Sequence, residues 1–142
     1  MYGLGKRTGI DLPNEFYGVV PSIEWKKRKY KKGWYMGETL ISAIGQGYTL
    51  VTPIQMAVHT AALASGNVVT PKLNLLKETI KEEIPREYKQ GIDIVRKAME
   101  KVCNEPGGTA YRYLSDNPVK VSCKTGTAQV VGIAQDIEER EK

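Results

Sequence analysis

The sequence predicts a fold that combines α-helices with β-strands, and three local patterns carry this prediction. Apolar and small residues recur with helical spacing over residues 54–65 and again over residues 92–102, which is typical of a helix with one buried face. Residues 119–123 instead alternate between apolar and polar side chains, as in a strand with one buried face. At 142 residues, the chain has room for one ordinary domain.

Composition excludes several classes of protein. Hydrophobic residues make up 41% and charged residues 26% of the chain, which argues against wholesale disorder. No apolar run approaches the roughly 20 residues that span a bilayer, and the N-terminus lacks the apolar segment of a signal peptide. Two cysteines exclude a disulfide-rich scaffold. A single histidine, His59, excludes a multi-histidine metal site.

The net charge of +5 comes from one short segment, residues 26–32. This run contributes six of the 21 basic residues, and without it 15 basic residues face 16 acidic ones. Because Trp25 and Trp34 flank the run and Tyr30 lies within it, a small module that binds nucleic acid or an anionic polymer is one hypothesis. We favour a solvated surface loop over such a module.

The clearest predicted element is a helix that begins after Thr52. Thr52, Pro53 and Gln55 have the spacing of a capping box with proline at the first helical position. Gly66 stands where a glycine would end the helix. The buried face is predicted to contain small and apolar residues: Ile54, Ala57, Val58, Ala61, Ala62 and Ser65. His59 lies off this stripe, so we expect it to be structural or to face solvent.

The remaining segments are assigned from breakers and periodicity. Residues 1–37 hold six glycines and two prolines, so we expect a loop-rich, basic region that belongs inside a larger chain. Residues 38–131 are expected to form a helix–strand core and residues 132–142 a polar tail. Within the core we expect a short strand over residues 70–77, a loop or edge strand over 78–84, a helix over 86–103 and a strand over 119–131.

The polar face of the last predicted strand carries the residues with the most useful chemistry. Lys124, Thr125, Gly126 and Thr127 bring an ammonium group, two hydroxyls and an open backbone to one place. Such a set could bind a carboxylate and stabilise an oxyanion through a backbone N–H. A Lys-Thr-Gly triplet is common by chance, so it indicates little in isolation.

The motifs around this triplet make it more informative. They are Gly-Lys-Arg-Thr-Gly-Ile-Asp-Leu-Pro (5–13), Pro-Ser-Ile-Glu-Trp-Lys (21–26), Gly-Glu-Thr-Leu-Ile-Ser-Ala-Ile-Gly-Gln-Gly-Tyr (37–48), Thr-Pro-Ile-Gln-Met-Ala (52–57), Pro-Gly-Gly-Thr-Ala (106–110) and Lys-Thr-Gly-Thr-Ala-Gln (124–129). This ordered series resembles the C-terminal part of the transpeptidase domain of class B penicillin-binding proteins. The Ala-Ile-Gly-Gln-Gly-Tyr stretch is most similar to the elongation-type subfamily, penicillin-binding protein 2.

The resemblance implies a fold and an activity. The fold is α+β, an antiparallel sheet flanked by helices as in serine β-lactamases, present in part over residues 1–142. The activity is a serine-type D,D-transpeptidase that cross-links peptidoglycan stem peptides and is acylated by penicillin and other β-lactams. The family acts at the periplasmic face of the bacterial inner membrane beside a glycan-polymerising partner and other elongation-complex membrane proteins. Neither a metal, an organic cofactor nor nucleic acid is implied.

The resemblance also implies roles for four residues. Lys124 would match the lysine that supports the hydrogen-bond network around the nucleophile. The hydroxyls of Thr125 and Thr127, beside Gly126, would hold the carboxylate of the substrate or of penicillin. The backbone N–H of Thr127 would be one oxyanion donor.

Three features depart from the family pattern. None of the five serines is followed three residues later by lysine, so no Ser-x-x-Lys nucleophile lies in these 142 residues and we expect them to be inactive alone; an inert truncation product is a further alternative. Ser115-Asp116-Asn117 matches Ser-x-Asn in letters only, and we expect a turn there. Cys123 replaces a residue that is usually small; we expect a buried free thiol, with a Cys103–Cys123 disulfide as the alternative.

Overall fold

A computed structural model describes residues 2–126 of the chain. The helices in this range are Ile23–Tyr30 (α1), Met36–Ala43 (α2), Pro53–Ser65 (α3), Lys89–Asn104 (α4) and Tyr111–Leu114 (α5), and the strands are Asn67–Val69 (β1) and Lys81–Glu83 (β2). The described residues divide into two compact units: the first contains residues 2–20 and 50–125, and the second contains residues 21–49 and Gly126. Helices beside a small antiparallel sheet agree with the predicted α+β class.

Helix α3 confirms the capping prediction. The Thr52 hydroxyl accepts the Gln55 N–H at 3.3 Å, and the Gln55 side chain accepts the Thr52 N–H at 3.0 Å. Pro53 opens the helix, and Gly66 ends it with a φ of 76°, a left-handed conformation that glycine adopts without steric cost.

The buried face of α3 is turned from the predicted one. Its buried residues are Gln55, Val58 and Ala62, whereas Ala57 and Ser65 are exposed. Gln55 lies on the buried face although the predicted apolar stripe did not include it, and its side-chain amide donates hydrogen bonds to backbone carbonyls that are distant in sequence.

The core of the larger unit joins α3 to α4. Ala62 packs in one buried cluster with Ile84 and Ile92, and partly buried neighbours cover it: Tyr2, Leu63 and Val68. The predicted helix over residues 86–103 is confirmed as a 3₁₀ turn, Arg86–Tyr88, followed by α4.

The strand predicted over residues 70–77 is wrong. The strand precedes it, as β1, and pairs antiparallel with β2, so that Val68 lies opposite Glu82. The edge strand predicted within residues 78–84 is confirmed as β2. Pro71 has no N–H to give to a sheet ladder, and the backbone beyond it takes a different partner.

That partner is the Asp11 carboxylate. It accepts the N–H groups of Leu73 and Asn74 at 2.7 and 3.1 Å, and these two bonds hold the pKa of Asp11 below its usual value. A side chain more than 60 residues away in sequence therefore fixes the conformation of the loop at Leu73 and Asn74. No local sequence pattern predicts this contact.

A strand was also predicted over residues 119–131, but residues 119–126 form none. The predicted alternation is confirmed over residues 121–124, where Val121 and Cys123 are half-buried while Ser122 and Lys124 are exposed. It does not extend to Val119, which is exposed. The backbone bonds the end of α4 rather than a strand, because no other extended segment of the described residues lies beside it; Cys123 N–H donates to the Met99 carbonyl at 3.1 Å. Residues 127–142 lie outside the described range.

The loop predicted for the basic run is wrong, because this run lies mostly on α1. The Ser22 hydroxyl accepts the Trp25 N–H at 3.1 Å, and Lys31 ends the helix in a left-handed conformation with φ 58°. Glu24 in the first turn and basic residues in the last turn complement the helix dipole. These capping signals were visible in the sequence.

Candidate functional site

The Lys-Thr-Gly residues lie at the surface. Lys124, Thr125 and Gly126 are all exposed, and the Lys124 ammonium donates to the Thr125 carbonyl. Thr127, predicted as a carboxylate ligand and oxyanion donor, lies outside the described residues.

The segment before Lys124 is fixed to the last turns of α4. Cys123 forms a disulfide with Cys103, whose side chain is fully buried, and the Cα–Cα distance of 6.1 Å lies within the usual range for such bonds. The Asn104 amide donates to the Val121 carbonyl at 2.7 Å. The free thiol predicted for Cys123 is therefore corrected to a disulfide, since the segment crosses the one helix position that carries another cysteine.

A second hydroxyl lies beside Thr125. The Thr109 Oγ1 is 3.4 Å from the Thr125 Oγ1, and both side chains are exposed. No role was predicted for Thr109, although it lies in the Pro-Gly-Gly-Thr-Ala motif that was part of the resemblance. One ammonium group and two neighbouring hydroxyls form a set of donors suited to a carboxylate.

Gly108 places Thr109 against the end of α4. A Cβ at Gly108 would lie 2.4 Å from the Val102 carbonyl oxygen and 2.6 Å from that of Lys101. The next residue but one, Ala110, donates its N–H to the Val102 carbonyl at 3.1 Å. Only glycine lets the chain pass the helix end this closely.

Replacing Gly108 by alanine is expected to lower the free energy of unfolding by about 1–3 kcal/mol, because backbone atoms must shift to admit the methyl group. The measurement is chemical denaturation of the purified protein. Gly91→Ala is the matched control: Gly91 lies inside α4 with open space around it, so alanine there should raise stability by up to about 1 kcal/mol. Equal effects of the two substitutions would refute the packing argument.

Two other predicted features have structural explanations. Ser115-Asp116-Asn117 forms a turn, as predicted: Asn117 N–H donates to the Leu114 carbonyl at 3.1 Å, and its Oδ1 accepts the Val119 N–H at 3.0 Å. The half-buried His59 lies with Nδ1 2.9 Å from the Tyr2 carbonyl oxygen. Because a carbonyl can only accept, Nδ1 carries the proton and His59 is structural.

The basic run does not present six free charges. Lys26 is buried and forms an ion pair with Glu38, while its basic neighbours are exposed: Lys27, Arg28, Lys29, Lys31 and Lys32. The hypothesis of a basic binding module therefore keeps five of its six basic side chains at the surface and loses Lys26, the first of the run. No helix among residues 2–126 is long and apolar enough to cross a membrane.

Comparison with known protein families identifies the class to which the chain belongs. The model of the penicillin-binding protein transpeptidase domain matches residues 1–141, and the chain belongs to this family. It is similar to the peptidoglycan D,D-transpeptidase MrdA of Salmonella typhimurium, with 40% identity over 95% of this chain and 24% of that protein.

Solved structures agree with this assignment. Penicillin-binding protein 2 from Helicobacter pylori is 40% identical, with a TM-score of 0.87 over 91% of this chain and 25% of that one. The same organism's penicillin-binding protein 2 in complex with MreC gives 40% identity and a TM-score of 0.86, over 91% of this chain and 24% of that one. The chain thus spans about a quarter of the length of the relatives that it matches.

Proposed function

We propose that this protein is a peptidoglycan D,D-transpeptidase and that its Lys-Thr-Gly segment forms one wall of the site that binds D-Ala-D-Ala stem peptides and penicillin. The observation that carries the proposal is the exposed Lys124-Thr125-Gly126 motif within a family match to residues 1–141. The similarity to curated D,D-transpeptidases supports the reaction class.

The proposed reaction passes through an acyl-serine. A serine Oγ forms an ester with the carbonyl carbon of the penultimate D-Ala, and the peptide bond to the terminal D-Ala breaks as its nitrogen takes the proton. An amine of a second stem peptide then attacks the ester, which forms the cross-link and releases the serine with its proton. None of the serines in these 142 residues has the Ser-x-x-Lys pattern, so in this proposal the nucleophile lies outside them and they are inactive alone.

The residues of this chain bind and orient the substrate. The Thr125 hydroxyl, with the Thr127 hydroxyl and the open backbone at Gly126, receives the terminal carboxylate of the peptide or of penicillin, and the Thr127 N–H stabilises the oxyanion. The Lys124 ammonium offsets negative charge at the same place. The neighbouring Thr109 hydroxyl, 3.4 Å from that of Thr125, can orient the Thr125 donor.

Removing the ammonium tests the proposal. In the whole protein, Lys124→Ala is expected to slow acylation by a fluorescently labelled penicillin about 100-fold, the size of effect that follows loss of one charge-stabilising donor. Lys120→Ala is the matched control, because Lys120 precedes the motif in the same segment and is exposed, 3.7 Å from Glu100. The 142-residue chain alone is the baseline and should form no adduct. Equal rates for the two variants would overturn the assignment of Lys124.

The cellular location and the partners of the protein are proposed from the same similarity to known transpeptidases. We infer a location at the periplasmic face of the inner membrane, with partners among elongation-complex membrane proteins, since one solved relative is in complex with MreC. The Cys103–Cys123 disulfide supports an oxidising compartment.

A further inference from the structure

The last turns of α4 are the common anchor for both sides of the candidate site. On one side, the Cys103–Cys123 disulfide fixes the residue directly before Lys124. On the other, Gly108 and Ala110 pack on the Val102 carbonyl and place Thr109. Because both segments are held by the same end of α4, the hydroxyls of Thr109 and Thr125 lie close together.

The anchor at Lys124 combines one covalent link with two hydrogen bonds. Cys123 N–H donates to the Met99 carbonyl at 3.1 Å. The Asn104 amide bridges the helix and the segment, donating to the Glu100 and Val121 carbonyls at 2.7 Å each. Beyond this point Lys124 and Thr125 are exposed, so their placement depends on what holds the residues before them.

We propose that the Cys103–Cys123 disulfide and Asn104 are positioning residues for the Lys124–Thr125 part of the substrate site. This inference rests on the proposed transpeptidase function. The disulfide lets the site keep its geometry on a segment that makes no strand ladder with any other described residue. A catalytic group displaced by about 1 Å can lose two orders of magnitude in rate, so a loosened segment reacts slowly even in a folded protein.

Reduction of the disulfide is reversible, so the positioning role can be tested by measuring the same molecules before and after it. A dithiol reductant gives up two electrons and two protons and becomes a cyclic disulfide, while the S–S bond breaks and each Sγ of Cys103 and Cys123 gains one hydrogen. Air or an added disulfide oxidant reverses the change. Thiol titration counts the two released groups and shows that reduction is complete.

The experiment measures acylation of the whole protein by a fluorescently labelled penicillin. The final amount of adduct counts folded, reactive molecules, whereas the rate constant per reactive molecule reports on the geometry of the site. We expect reduction to lower this rate constant about ten-fold with the final amount unchanged, and reoxidation to restore it. The Cys103→Ala/Cys123→Ala variant should react at the reduced rate with or without the dithiol.

Asn104→Ala provides a second arm that leaves the disulfide intact. We expect it to lower the rate constant several-fold, while Val119→Ala, at an exposed position of the same segment, leaves it unchanged. An unchanged rate constant after complete reduction overturns the positioning role. So does a loss of reactive molecules with no change in rate, since the disulfide would then act on stability alone. If the oxidised protein forms no adduct at all, the proposed function fails, and the positioning proposal with it.

Discussion

Replacing Lys26 by methionine is expected to lower the free energy of unfolding by about 3–5 kcal/mol, because the largely buried Glu38 carboxylate then loses its ion-pair partner. The Lys26 side chain is 3% exposed and that of Glu38 is 11% exposed. The Lys26 ammonium also lies 4.3 Å from the centroid of the Tyr35 ring. Denaturation followed by fluorescence measures the effect, since both tryptophans of the sequence, Trp25 and Trp34, lie in the unit of residues 21–49.

The protonation state of Glu38 supports this expectation. Burial raises the pKa of Glu38, but hydrogen bonds from the Lys26 ammonium and the Tyr35 N–H outweigh it, so the pKa stays below its usual value. A carboxyl whose pKa is lowered by folding contributes stability above its unfolded pKa and loses it as the pH falls through the folded value. At neutral pH the Glu38 carboxyl is therefore ionised, and the loss of its partner is felt in full.

The adjacent lysine is the matched control. Lys27 is exposed on the same helix, so Lys27→Met should change the free energy of unfolding by no more than about 0.5 kcal/mol. Lys26→Met combined with Glu38→Leu should recover much of the loss, because neither charge is then left unpaired. A Lys26 variant as stable as the Lys27 variant would show that the pair is not buried in solution.

What the sequence predicted well was encoded locally. The Thr52 and Gln55 capping pair and the glycine after the helix fixed both ends of α3, because each acts within one turn. The helical spacing of apolar residues predicted α4 for the same reason, since this pattern also repeats within about one turn. Helix α1 carried equally local signals, namely Ser22 before its first turn and basic residues in its last turn. It was missed because the basic run was interpreted as a solvated surface loop.

What failed depended on distant partners. The loop at Leu73 and Asn74 is set by Asp11, and the segment before Lys124 is set by Cys103. Neither contact leaves a periodic trace in the sequence. The Lys-Thr-Gly candidate site was proposed through the resemblance, because three residues in a row indicate a chemistry only when the surrounding motifs are known. Thr109 is a similar case. Its motif was recognised in the sequence, but the distance of 3.4 Å between its Oγ1 and that of Thr125 is visible only in the folded structure.

Gln55 is the clearest case of a residue whose local and distant roles differ. Its side chain is fully buried and completes the cap at Thr52, as predicted. Its amide nitrogen also donates to the carbonyls of Lys6 and Tyr17 at 2.7 and 2.8 Å, which fastens the N-terminal segment to α3. A Cβ at Gly18 would lie 2.7 Å from Gln55 Oε1, so the chain approaches this amide as closely as it can.

Gln55→Met, which keeps the length of the side chain and removes its hydrogen-bonding groups, is expected to cost about 3 kcal/mol, roughly 1 kcal/mol for each of the three side-chain bonds. The free energy of unfolding measures the total. Amide hydrogen exchange locates it: Val19 and Leu50, whose backbones bond each other at 2.7 and 2.9 Å, should exchange faster, while amides within α4 should not.

Thr60→Ala separates this network from a general weakening of α3. Thr60 is exposed on the same helix, and its hydroxyl bonds only locally, to the Met56 carbonyl at 2.8 Å. Its removal should stay within about 0.5 kcal/mol and leave the exchange of Val19 and Leu50 unchanged. Similar losses for Thr60→Ala and Gln55→Met would mean that α3 is sensitive throughout, whereas faster exchange confined to the Gln55 variant shows that one buried amide holds residues 6–18 in place.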